Sequence, residues 1–232
     1  MNIKYKHIFF DLDRTLWDFE TSALQAFDLI FEKYELEKRG VKSAHHFHEV
    51  YTVHNNILWD MYRVGDITKE ELRGKRFFLT LKEYNINDKE LAENIGLDYT
   101  IISPKLVNLF PNAIEILDYL FPKYKLHLIT NGFSEVQEVK LKSSGMDKYF
   151  DKVITSEDAG VKKPDSRIFN FAMDQTNAEF INSIMIGDDY EVDIIGAQDV
   201  GMDQVYFNPQ NTFMSNGSTY EIEDLIQLKE FL

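Results

Sequence analysis

Phe10-Asp11-Leu12-Asp13-Arg14-Thr15-Leu16 follows directly on the apolar run Lys6 to Phe10. A short apolar run that stops at charged residues reads as a buried parallel strand, with the two carboxylates at its carboxyl end. Carboxylates one residue apart at the edge of a core are costly unless something compensates them. In a continuing strand they would point to the same side. Two like charges on one site invite a hard cation such as magnesium, which takes oxygen ligands. The plain alternative is that Asp11 and Asp13 cap a following helix.

The same pattern recurs further along. Lys125-Leu126-His127-Leu128-Ile129-Thr130 is a second apolar run, and Lys152-Val153-Ile154, Ser183-Ile184-Met185-Ile186 and Gln204-Val205-Tyr206-Phe207 are weaker ones. Helical stretches at 112–122, 134–144, 166–176 and 190–200 separate them. Strands alternating with helices predict an α/β fold, a parallel sheet with helices on both faces. Sites in such sheets lie at the carboxyl ends of the strands.

Residues 17–104 break the alternation, with helical periodicity only. Ala23, Phe27, Ile30, Phe31 and Tyr34 form one stripe, and Ile57, Leu58, Met61 and Tyr62 a second. Leu72, Lys75, Arg76, Phe77 and Leu79 belong to a third helix, and Leu91 to Ile101 to a fourth. The expectation is an all-helical insertion, 17–104, in a core domain made of 1–16 and 105–232. Ser103-Pro104 and Phe110-Pro111 mark the return into that core.

Three further polar clusters each follow an apolar run. In Thr130-Asn131-Gly132 a hydroxyl, an amide and a glycine N–H can bind phosphate oxygens, although Asn-Gly is also a common turn. In Gly160-Val161-Lys162-Lys163-Pro164-Asp165 the proline starts a helix that Asp165 or Ser166 can cap. Lys163 beside it can neutralise a phosphoryl group, or be an ordinary solvated lysine. In Gly187-Asp188-Asp189-Tyr190-Glu191-Val192-Asp193, Asp188 can reach a metal shared with Asp11. Asp189 and Glu191 read equally well as an acidic helix start.

Composition bounds the function. A net charge of −14 over 232 residues disfavours a nucleic-acid polymer as partner, because such binding needs a basic face. The chain has no cysteine, which excludes disulfides, thiolate metal sites and cysteine nucleophiles. The apolar run after His7 is too short for a signal peptide, and no segment approaches a membrane span. The expectation is a cytoplasmic protein, monomer or homodimer.

The four clusters in this order resemble the haloacid dehalogenase-like (HAD) hydrolase superfamily. Its pattern is Asp-x-Asp-x-Thr, then Ser/Thr, then Lys, then Gly-Asp-x-x-x-x-Asp, matched over residues 6–16 and 105–210. The resemblance implies a Rossmann-like core with an inserted helical cap of the C1 type, which closes over small substrates. It implies Asp11 as a nucleophile that forms an aspartyl-phosphate, and Asp13 as general acid and then base. It implies Thr130 and Lys163 on the phosphoryl group with Asn131 assisting. Magnesium would lie on Asp11, Asp188 and the backbone carbonyl of Asp13, with Asp193 orienting the cluster. True dehalogenases of the superfamily lack the second carboxylate, so Asp13 argues for phosphate esters.

Within the superfamily, Asn56-Ile57-Leu58-Trp59 through Gly65-Asp66-Ile67-Thr68, and Arg73 to Phe77, look like the pyrimidine 5'-nucleotidase branch. The implied substrate is a small phosphorylated metabolite, a nucleoside 5'-monophosphate. Sugar phosphates or phosphoglycolate are the alternative. Trp59, Tyr62, Arg73 and Arg76 are candidate substrate contacts, or helix packing and surface charge. Arg14 stands where a small or polar residue is usual, and Ser166 where a second proline is usual. A phosphorylated receiver module orders its acidic residues differently and is about half as long. A non-catalytic phospho-binding scaffold of the same fold would not need the full catalytic set.

Overall fold

The computed structural model describes residues 4–211 and 217–232. It divides into two compact units, Met1–Phe19 with Val107–Leu232, and Glu20–Leu106.

The first unit is built on a six-stranded sheet. Its strands are β1 (His7–Phe10), β2 (Lys125–Thr130), β3 (Phe150–Thr155), β4 (Ser183–Gly187), β5 (Asp203–Phe207) and β6 (Tyr220–Ile222). They pair in the order β3-β2-β1-β4-β5-β6, every pair parallel. Period-two alternation sends successive residues to opposite faces. Ile8, Phe10, Leu126, Leu128, Ile184, Ile186, Val205 and Phe207 face one layer, with Ile116, Leu117 and Leu228 packed on them. Phe9, Ile129, Ile154 and Met185 face the other, against Ile168, Phe169, Ala172 and Met173. Because both faces are covered, the strands read as continuous apolar runs, which is why they were legible.

The helices of this unit are α5 (Ala113–Leu120), α6 (Ser134–Ser144), α7 (Ser156–Ala159) and α8 (Ser166–Thr176). The predicted helix 190–200 starts instead as a π-helical turn, Tyr190–Ile195, and ends in the short α9, Gly196–Gln198. Such turns interrupt helices at functional sites. β6 escaped the sequence reading because three edge residues carry too little pattern.

The order reverses between β1 and β4, since the chain moves from β1 outward to β3 and returns to the other side of β1. This is the switch point at which open α/β sheets place their sites. Asp11 follows β1, and Asp188 follows Gly187, the last residue of β4.

The second unit holds α1 from Glu20 onward (Phe19–Lys33 in full), α2 (Ala44–Val64), α3 (Lys69–Lys82) and α4 (Lys89–Ile102). Its core is aromatic: Phe27, Phe47, Tyr51, Phe77 and Tyr99 are all buried. α2 buries Phe47, Tyr51, Leu58 and Tyr62, whereas Ile57 of the expected stripe is 55% exposed. Ser43 caps α2 by accepting from the N–H of His46. Thr68 and Glu71 form a reciprocal capping box that starts α3.

His127 of β2 is a titratable group inside the sheet unit. It is fully buried and stacked on Phe9, with Nε2 3.0 Å from Nδ1 of His7. Burial, then the neighbouring His7, pushes its pKa down to about 4 from an ordinary 6.5. The unfolded chain therefore takes up this proton first. The stability involved is fully present above pH 6.5, falls as pH drops toward 4, and is level below that. The gap is worth on the order of 3 kcal/mol. His127→Phe is expected to remove that much of the loss in urea-unfolding free energy between pH 7 and 4. An unchanged pH dependence in the variant would rule His127 out as the titrating group.

Candidate active site

β1 delivers Asp11 by a ladder bond beyond the strand, the Asp11 N–H donating to Ile186 O at 2.9 Å. The chain then leaves the sheet instead of continuing as a strand. Leu12 and Leu16 turn into the core, and Arg14 adopts the left-handed conformation at φ 65°. Leu12 O accepts from Trp17 N, which closes the loop. Asp11 and Asp13 are consequently bound by different partners. The Arg14 guanidinium lies 4.8 Å from the centre of the Phe19 ring. Thr15 Oγ1 donates to Asp188 Oδ1 at 3.0 Å and so ties the loop after β1 to the end of β4.

Lys163 is the charge at the centre. It is 2% exposed, and its Nζ donates to Asp11 Oδ1 and Asp193 Oδ1, each at 2.6 Å. Burial disfavours its charge, but the two carboxylates together outweigh that and hold its pKa above the ordinary lysine value. Asn131 places this lysine. Its Oδ1 accepts from Lys163 N at 2.8 Å and its Nδ2 donates to Lys163 O at 3.0 Å. Asn131 thus clamps the Lys163 backbone through both ends of its amide, and its Nδ2 keeps a second hydrogen for a ligand. Asp165 caps α8 through the Arg167 N–H, and Ser166 is simply the first helical residue.

Asp11, Asp188 and Asp193 bring carboxylate oxygens within 4.8 Å of one another. Burial pushes the Asp11 carboxyl up to about 7, against the pull of Lys163. Asp188 is raised well above the carboxylate range, first by burial and then by Asp11 and Asp193. Asp193 is raised by burial too. Ionised together, the buried Asp11 and Asp193 and the half-buried Asp188 would outnumber the Lys163 ammonium by two, and a divalent cation is the partner that favours their ionised forms. The donor set is all oxygen, as a hard cation requires. Asp193 has both oxygens engaged, Oδ1 by Lys163 and Oδ2 by the Asp189 N–H at 3.2 Å. It braces the cluster, while Asp11 and Asp188 each keep a second oxygen for a cation. Gly187 makes the brace possible: a Cβ there would lie 2.3 Å from Asp193 Oδ2.

Asp13 belongs to a second network. Its Oδ1 is paired with the buried Lys140, and its Oδ2 accepts from Gln137 Nε2 at 2.9 Å. Burial raises its pKa, but the Lys140 charge and these two hydrogen bonds outweigh it and hold the carboxyl below its ordinary value. Thr130 Oγ1 accepts from Gln137 Nε2 at 2.7 Å and from the Gly132 N–H at 3.0 Å. With both acceptor positions filled, its hydroxyl hydrogen is what it offers to a ligand. A Cβ on Gly132 would fall 2.1 Å from Gln137 Nε2, so the close neighbour of this glycine is Gln137. Thr15, Gln137 and Lys140 had no assigned part in the sequence reading. The signal for the last two was that 134–144 is a helix with few apolar residues, although it packs on a sheet.

The model of the haloacid dehalogenase-like hydrolase family matches residues 8–207. The chain belongs to that family. It is 32% identical to the pyrimidine 5'-nucleotidase YjjG of Escherichia coli (strain K12), over 99% of both chains. It is 29% identical to the glyceraldehyde 3-phosphate phosphatase of Methanothermobacter thermautotrophicus, over 98% of this chain and 99% of the other. Among solved structures, the magnesium-bound HAD hydrolase YfnB of Bacillus subtilis superimposes with a TM-score of 0.88 at 28% identity, over 98% of each chain.

In this HAD hydrolase the acidic cluster, Lys163, Thr130 and the Asp13 network all lie in the sheet unit. Trp59, Tyr62, Arg73 and Arg76 lie in the helical unit. Arg76 is 3% exposed, with guanidinium-to-ring-centre distances of 5.3–5.6 Å to Tyr99, Phe77 and Tyr51, and it donates to Asn55 Oδ1. Trp59 packs edge-on against Tyr62 at 5.5 Å. Among the described residues no helix is long and apolar enough to cross a membrane.

Proposed function

We propose that this HAD hydrolase is a magnesium-dependent phosphatase for small phosphate monoesters, with nucleoside 5'-monophosphates as substrates. The observation that carries the reading is the buried Asp11, aimed by Lys163 within a cluster of three carboxylates whose oxygens lie within 4.8 Å of one another. Asp11, Asp188 and the backbone carbonyl of Asp13 would hold magnesium, which would neutralise charge on the phosphoryl oxygens. Thr130 and Lys163 bind those oxygens, with Asn131 assisting and also fixing the Lys163 backbone. An Asp11 oxygen attacks phosphorus while the bond to the leaving oxygen breaks. Asp13 protonates that oxygen, then takes the proton of the water that cleaves the aspartyl-phosphate. The Lys140 charge favours ionised Asp13, the form that the second step needs. A bound phosphate dianion opposes that field and promotes proton uptake for the first.

The nucleotide assignment rests on the likeness to YjjG across the whole chain, helical unit included. The likeness to a triose-phosphate phosphatase supports sugar phosphates as the second reading. The Glu20–Leu106 unit serves as the cap that selects the leaving alcohol. The test is phosphate release from a panel of nucleoside monophosphates and sugar phosphates, with magnesium and after chelation. Chelation is expected to abolish turnover, magnesium to restore it, and pyrimidine nucleotides to rank first. Turnover indifferent to chelation would sink the metal assignment, and sugar phosphates ranking first would transfer the substrate to the second reading.

A further inference from the structure

We propose that Gln137 and Lys140 of α6 are positioning residues for the proton-transfer carboxylate Asp13. They would make α6 the element that controls how fast esters with poor leaving groups are cleaved. The inference rests on Asp13 acting as general acid. It stands on four observations of geometry. The two side chains are three residues apart and so share one face of α6. Both are buried, Gln137 at 0% and Lys140 at 4% exposure. Between them they bind both oxygens of Asp13. Gln137 Nε2 also binds Thr130 Oγ1, which links the proton-transfer group to a phosphate-binding hydroxyl through one amide.

Lys140 Nζ is buried beside Asp13 and two aromatic rings. Among the described residues its carboxylate partner is Asp13, and the rings of Trp17 and Phe19 stand 5.4 and 5.7 Å away. An ammonium held by one carboxylate and two ring faces has little freedom, and a short carboxylate gripped at both oxygens has less. Removing one anchor lets Asp13 rotate away from the line of proton transfer. A misplaced general acid matters most where the leaving group needs protonation, as an alkoxide does and 4-nitrophenolate does not.

The experiment compares a nucleoside 5'-monophosphate with 4-nitrophenyl phosphate in Lys140→Met, Asp13→Ala and the double variant. Lys140→Met is expected to lower kcat/KM on the nucleotide ~100-fold and on the nitrophenyl ester less than ~10-fold, because kcat/KM reports phosphoryl transfer to Asp11 and not the later hydrolysis that both esters share. In the Asp13→Ala background the same change is expected to alter either rate by less than about twofold, because its effect passes through Asp13. Equal losses on both esters, or the same loss with and without Asp13, would overturn the proposal. If Asp13→Ala itself lowers kcat/KM on both esters alike, the general-acid reading of Asp13 fails. The coupling between Lys140 and Asp13 is still measured in that case. Gln137→Leu, which removes an uncharged anchor, gives the same readout if Lys140→Met does not fold. A Gln137→Leu variant that cleaves the nucleotide at the wild-type rate would also overturn the proposal.

Discussion

Asp11→Asn is expected to reduce kcat on every phosphate ester by on the order of 10⁴-fold or more, as loss of a nucleophile does. The substitution is nearly isosteric. Its Oδ1 can still accept the Lys163 hydrogen bond now made by Asp11 at 2.6 Å. What it removes is the negative oxygen that attacks phosphorus and one charge of the cation site. Folding is expected to be preserved, because burial already opposes the ionised form of Asp11. Phosphate release with saturating magnesium, together with circular dichroism, checks both halves. A variant that retains a tenth of the wild-type rate would exclude Asp11 as the nucleophile.

Lys163→Met should combine loss of turnover with a loss of about 3–5 kcal/mol in unfolding free energy, the range seen when one partner of a buried ion pair is removed. Methionine fills nearly the same volume, so a cavity is not the cause. The cause is that Asp11 and Asp193, 7% and 1% exposed, lose their shared counter-charge. Burial already pushes both carboxyls up with the lysine present. Urea unfolding in chelator, where no divalent ion can substitute for the ammonium, measures the effect. A loss below about 1 kcal/mol would mean that the two carboxylates find another partner, and that Lys163 is not the electrostatic centre of the site.

The strands were legible because each is a local apolar run, and burial on both faces removes the need to know which side is which. The clusters after β1, β2 and β4 were legible because a polar break at the end of such a run is itself local. Longer reach was not. Gln137 and Lys140 meet Asp13 across 124 and 127 positions, and nothing in an eleven-residue polar helix says which face turns inward. The clamp of Asn131 on the Lys163 backbone was not legible either, because it joins an amide to a backbone segment 32 positions away. Ile57 was placed on the buried stripe of α2 and is exposed, since a shift of one position on a helix rotates the apolar arc by about 100°.

By itself, then, the sequence determined the kind of protein. It has a parallel α/β core with a helical insertion, and polar breaks at Asp11, Thr130 and Asp188, at the ends of three of the strands. Those features are periodicities and spacings, which are properties of neighbours along the chain. The tertiary structure alone decided the pairing of charges. Lys163 stands between Asp11 and Asp193, Lys140 takes Asp13, and Thr15 joins the loop after β1 to Asp188. Side-chain charge falls off over a few ångströms inside a protein. Which carboxylate is balanced and which is left for a cation therefore depends on where the sheet brings distant residues together.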